Sequence, residues 1–356
     1  MLFDLQEDLG WRITAYLVPD SGGATPVLRV LNAGVELARL EANQPLPALV
    51  SAGRHTTGQC GFAIDETLIP GLAEFPDIEL VEPESGIMIY RRPPPHALDG
   101  PKMFRLETHL LPLWRLDDLL NPRFHSWYRG IDRYGRETST QVFCLQHSKS
   151  TYASGRVLYK NYEYYLRNGV STMALLRDPY HELAERLIVL QRIGSGAESI
   201  LGARDALMLA PLMALLAENG PLDEEGCRRL FKKGQKQIYE PLFNPLTRQL
   251  TASTPDEPSP RSGVATALEV LSSFALLGLR ERGDDFTKAV AEMVGIGADR
   301  MPPLGEHSRV TGLAAQLRAI SWMEAFLEHD LEVFEIVRSA FSSVSEVPVV
   351  SADPSR

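Results

Sequence analysis

VSTMALLRDP (residues 170–179) is apolar as far as Leu176 and then passes at once to Arg177, Asp178 and Pro179. The apolar part has the length and composition of a strand buried on both faces. Asp178 suits a helix N-cap, because its carboxylate accepts the free N–H groups of a first turn. Pro179 suits the first helical position. YHELAERLIVLQRI, which follows, has the apolar spacing of a helix. A strand feeding a helix in this way predicts a βαβ arrangement and a parallel sheet. Arg177 then stands at the carboxyl end of a strand, where open α/β sheets place ligands. It either contacts an anion or pairs with a neighbouring carboxylate and closes the turn.

Upstream, TSTQVFCLQ (138–146) is a candidate buried strand. Val157, Leu158, Tyr162, Tyr165 and Leu166 predict a helix between Tyr152 and Arg167. The junction QHSKSTYASGR (146–156) would then be a turn between strand and helix holding Lys149, Ser150, Thr151 and Ser154. Backbone N–H groups, an ammonium and hydroxyls are what a phosphate or sulfate needs, although the Walker spacing is absent. Lys149, Arg156, Lys160, Arg167 and Arg177 face a single acid, Glu163, over this interval. That excess suits an anionic ligand; Arg156, Lys160 and Arg167 can equally belong to a solvated helix face. Glu163, His181 and Glu182 are candidate general bases. Glu163 can instead pair with Lys160 or Arg167 at helical spacing, and Glu182 can simply favour its helix N-terminus.

Residues 1–95 predict a β-sandwich. WRITAYLVP and PVLRVLNAGVELARLEA are short strand-like runs broken by turn residues, and IELVEPESGIMIY has the pattern of a hairpin. A sandwich without an obvious site reads as a scaffold or a module for a protein partner. RRPPPHALDGP (91–101) predicts a stiff linker. Residues 96–345 form the α/β part with a helical C-terminal region: DALMLAPLMALLAE, EEGCRRLFKKGQKQIYEPL, ATALEVLSSFALLG, DFTKAVAEMVG and one long helix through LAAQLRAISWMEAFLEHDLEVFEIVRSAF. ASTPDEPSPRSG (252–263) predicts a mobile loop, and residues 346–356 a flexible tail. RRLFKKGQK (228–236) is a basic helix face. RFHSWYRGIDRYGRE (123–137) suits either sugar contacts or a loop capping the sheet.

The chain has 356 residues, long enough for two domains, and a net charge of −10. An acidic surface argues against nucleic acid as a partner. Cys60, Cys144 and Cys227 lack metal-ligand spacing. Free thiols, a start without signal-peptide pattern and no apolar run of ~18 residues predict a cytoplasmic protein without a transmembrane segment.

Several pieces, in order along the chain, resemble the carbohydrate-type sulfotransferases: Lys149-Ser150, the strand ending LLRDP, the stretch SSFALLGLRERGDDFTKAVAEMVGIG (272–297) with Gly278, Glu281, Arg282 and Asp285, and Asp330-Leu331 with Phe334. The resemblance covers roughly residues 137–343. It implies a P-loop-like parallel sheet with flanking helices and PAPS (3′-phosphoadenosine 5′-phosphosulfate) as cofactor. It further implies sulfuryl transfer to a glycan or other hydroxyl-bearing acceptor. Lys149 and Ser150 would hold the 5′-phosphosulfate, with Thr151 and Ser154 beside them, and Arg177 the 3′-phosphate. Lys149 would meet the charge developing on the bridging oxygen, as in phosphoryl transfer. Two positions depart from the family pattern: Thr151 stands for a glycine and Glu185 for a serine. The alternative is an inactive relative acting as a binding or assembly protein in surface-polysaccharide production or export.

Overall fold

The computed structural model describes residues 1–100, 102–193, 200–233, 239–260 and 262–345. The tail expected at 346–356 and the end of the basic stretch at 234–236 lie outside the described residues. Eight strands build the N-terminal part: β1 (Leu2–Asp8), β2 (Arg12–Val18), β3 (Val27–Asn32), β4 (Val35–Glu41), β5 (Gln44–Pro45), β6 (Gln59–Asp65), β7 (Ile78–Val81) and β8 (Met88–Arg91). They form two antiparallel sheets, β1-β2-β6-β5 and β4-β3-β7-β8. Alternate residues point inward, so Ile13, Ala15 and Leu17 of one sheet meet Leu28, Val30 and Leu80 of the other in one buried cluster. The β3–β4 turn is two residues long, Ala33 and Gly34, both at positive φ, as a tight hairpin with native twist requires.

Five parallel strands follow: β9 (Lys102–Leu106), β10 (Ser126–Arg129), β11 (Thr151–Gly155), β12 (Val170–Leu176) and β13 (Leu276–Leu279). Their order is β10-β11-β9-β12-β13. Both faces are covered by helices, and successive residues alternate between them. Phe104, Ala153 and Ala174 join the cluster that contains the sandwich core. Met103, Tyr152 and Met173 join a second cluster with Leu116 and Phe286. The helices Pro179–Ile193, Ala203–Glu218, Glu224–Lys233 and Ser308–Arg318 share a third apolar core.

The structure bears out β12 and the helix Pro179–Ile193 as read from the sequence. Asp178 Oδ1 accepts from the Tyr180 and His181 N–H groups at 3.0 and 3.2 Å, as an N-cap should.

Upstream the assignments reverse. Residues 138–146, expected as a strand, lie largely in the helix Arg136–Cys144, which buries Thr138, Ser139, Val142 and Phe143 along one stripe. Residues 151–155, expected in the turn between a strand and a helix, form β11, buried throughout between β10 and β9. Only a short helix, Glu163–Arg167, remains of the helix expected up to Arg167. Residues 276–278, expected at the end of a helix, lie in β13. The long helix expected from 313 to 341 is three: Ser308–Arg318, Met323–Phe326 and Glu328–Ser345.

Residues 92–100 carry no helix or strand. Arg92 nevertheless ties this segment to the sandwich, pairing with Asp8 at 2.9 Å and donating to the carbonyls of Leu72 and Phe75 at 2.6 and 2.7 Å.

Candidate functional site

From β9 the chain crosses to β10 on one side of the sheet; from β12 it leaves for β13 on the other. Neighbouring strands whose connections diverge open a crevice at their carboxyl ends. Here it is bounded by Glu107, Thr108 and His109 after β9 and by Arg177 and Asp178 after β12.

Each parallel strand brings an arginine to this edge, and each arginine meets a carboxylate of the same chain. Arg105, 1% exposed, binds Asp117 at 2.8 Å, Tyr152 Oη at 3.1 Å, and Glu107. Arg129 meets Asp118 at 2.7 Å, and Arg156 meets Asp205 at 2.7 Å. Arg177 donates from Nη1 to Glu185 at 2.7 Å, from Nε to Glu306 at 2.9 Å, and from Nη2 to the other Glu306 oxygen. Arg280 lies 3.8 Å from Glu306. Burial opposes the Arg177 charge, but Glu185, Glu182 and Glu306 outweigh it and push its pKa above the ordinary arginine value. Burial, with Glu182 adding to it, pushes Glu185 up.

The other residues singled out in the sequence do not gather here. Lys149 precedes the amino end of β11, whose first residue, Thr151, is level with Lys102 and Val170. Arg177 follows the opposite end of β12, roughly 23 Å farther along the sheet at ~3.3 Å per residue. Lys149 instead lines an open groove of about 430 Å³ between sandwich and parallel sheet, with Arg92, His125 and His147. Ser150 is buried and its Oγ accepts from the His125 N–H at 3.0 Å. Thr151 is buried inside the sheet. Ser154 donates to Asp117 at 3.1 Å. Glu163 pairs with Arg167 at 2.9 Å, on the helix before β12 and hence at the amino end. His181 does reach the carboxyl edge, but its Nδ1 is held by Asp178 at 3.0 Å. Lys149 and Arg177 therefore cannot grip one nucleotide, and the residues present do not fit PAPS as the sequence suggested.

The pieces that carried the resemblance have structural partners. Gly278 sits in β13 against the Phe286 ring, and Arg282 pairs with Asp285 at 2.8 Å. Asp330, buried, accepts from the Leu246 and Thr247 N–H groups at 2.9 and 2.8 Å and so caps the helix Pro245–Thr251. The stretch 123–137 crosses the sheet as β10, with His125 buried. Arg228 and Arg229 of the basic face pair with Glu224 and Glu225 at 3.0 and 2.7 Å.

Sequence reasoning missed Arg105, Arg129 and Arg280 at this edge, and left Arg156 open between an anionic ligand and a solvated helix face. The signal was present: TYASGR stops on an arginine just as STMALLR does. No helix among the described residues is long and apolar enough to cross a membrane. No protein-family model and no curated protein matches the chain.

Proposed function

We propose that this chain is a binding or assembly protein on a sulfotransferase-like, P-loop-like fold, without sulfuryl transfer of its own, and that its partner class is a glycan of surface-polysaccharide production. One observation carries the loss of transfer: Arg177, the only expected donor-binding cation at the crevice, is held by Glu185 and Glu306. A 3′-phosphate would have to displace two carboxylates and leave Glu185 buried without its counter-ion, a costly state. Among the described residues no ammonium takes the place Lys149 was expected to fill. The sandwich, packed on the sheet through one continuous core, offers a second surface for a protein partner.

Thermal unfolding in millimolar adenosine 3′,5′-bisphosphate tests this reading. A ligand at a hundredfold its dissociation constant adds about 2.7 kcal/mol of stability. The expected result is no shift. A shift in the wild type that disappears in Arg177→Ala would overturn the proposal and restore PAPS-dependent sulfation of a hydroxyl acceptor.

A further inference from the structure

A second feature lies at the carboxyl ends of β9 and β11, where the chain packs against the helices Pro179–Ile193, Ala203–Glu218 and Pro245–Thr251. It is a cavity of about 90 Å³ lined by four arginines: Arg156, Arg186, Arg204 and Arg248. Leu110, Leu158 and Met208 supply apolar wall.

The charges do not cancel as they do along the strand edge. Asp205 serves both Arg156 and Arg204, at 2.7 Å from each. Glu182 serves Arg186 at 2.6 Å. Among the described residues Arg248 has no carboxylate at ion-pair distance. Its guanidinium donates only to the carbonyls of Glu257 at 3.2 Å, Pro255 and Glu240. Burial, with Arg186 adding to it, pulls the Arg248 pKa below its ordinary value. Arg156, Arg186 and Arg248 are each more than nine-tenths buried. Only two carboxylates, Asp205 and Glu182, bond these four cations, while Glu240, Asp330 and Asp256 act on Arg248 from beyond ion-pair distance; buried guanidinium charge without a bonded acid calls for a counter-ion. The cavity has room for one small oxyanion beside the four arginines.

We propose that this cavity binds a single tetrahedral oxyanion, a sulfate or phosphate group, either free or as the monoester on a larger molecule. Arg204 and Arg248 would grip it with the planar forks that match oxyanion geometry, and the apolar wall would shield the contact from solvent. The site is separate from Arg177 and stands independently of the function proposed above.

Calorimetric titration with potassium sulfate, at ionic strength held constant with potassium chloride, tests the proposal. One saturable site is expected, weakened about tenfold or more by Arg204→Gln, which corresponds to 1.4 kcal/mol or more. Arg248→Gln removes the cation that lacks an acid partner, and it should abolish binding; circular dichroism checks its fold, since Arg248 also secures three carbonyls. Arg204 is about one-third exposed, 35% by side chain, so its variant keeps the test decisive if Arg248→Gln unfolds. Arg177→Gln should bind as the wild type does. A parallel titration with N-acetylglucosamine 6-sulfate separates the sources: tighter binding than sulfate assigns the ester, weaker binding the free ion. No saturable heat with either probe, or unchanged affinity in Arg204→Gln, overturns the proposal.

Discussion

His109 stands among the crevice cations with its Nε2 unpartnered among the described residues. Glu107 lies 3.7 Å from its Nδ1, and Thr108 Oγ1 lies 3.2 Å away. Burial holds its pKa well below the usual histidine value, and Arg280, Arg177, Arg105 and Arg186 push the same way. The native state therefore keeps this ring neutral, whereas the unfolded chain takes up a proton near pH 6.5. Stability conferred by the neutral ring is complete above that pH and is lost as pH falls from it toward the lower native value, by up to about 1.4 kcal/mol per pH unit. Urea midpoints measured at pH 7.0 and about 5.5 should drop more for the wild type than for His109→Gln. His125, also pulled down by burial, contributes to the slope that remains. Equal slopes in the two proteins would remove His109 from the account.

At the scale of elements, β13 and the helix Gly283–Val294 depend on a missing side chain. A Cβ at Gly278 would fall 2.5 Å from the nearest atom of the Phe286 ring. Gly278→Ala should lower stability by about 1–3 kcal/mol, the usual cost of overpacking. Phe286→Leu should recover part of that loss in the double variant, read from denaturant midpoints. The same elements show which parts of the fold could be read from the sequence. β12 and its helix were legible because an apolar run, a capping carboxylate and a proline agree. TSTQVFCLQ was not, because a short buried run satisfies strand and helix periods alike, and only the stripe from Thr138 to Phe143 settles it. TYASG is rich in small residues, so its place inside the sheet depends on its neighbours β9 and β10 rather than on its own propensity. Once these two elements exchange identity, Lys149 moves from the carboxyl to the amino end of the sheet, which is why the candidate site was only half legible. Glu185 was noticed as a departure; Glu306, distant in sequence, could not be matched to Arg177 without the fold.

Across the whole molecule, the proline-rich segment marks a change of architecture while the core runs past it. Phe3, Leu28 and Ile89 of the sandwich belong to the same buried cluster as Phe104, Phe143 and Phe334. Gln141 donates to the Phe3 carbonyl at 2.8 Å, and His147 meets Asp4 at 2.6 Å across the junction. Sandwich and α/β part should therefore unfold in one transition, with near- and far-ultraviolet circular dichroism coinciding. Phe3→Ala should shift that single transition by about 3–5 kcal/mol. Two separated transitions, with only one moved by the substitution, would show independent domains. The carboxylates that close on Arg177 have a further consequence. They reach it from Glu185, two helical turns away, and from Glu306, far along the chain, so covalent connection supplies them at an effective concentration that no diffusing metabolite attains without many contacts of its own. Glu185 and Glu306 thus hold the Arg177 guanidinium as tethered counter-ions, and dilution cannot wash them out.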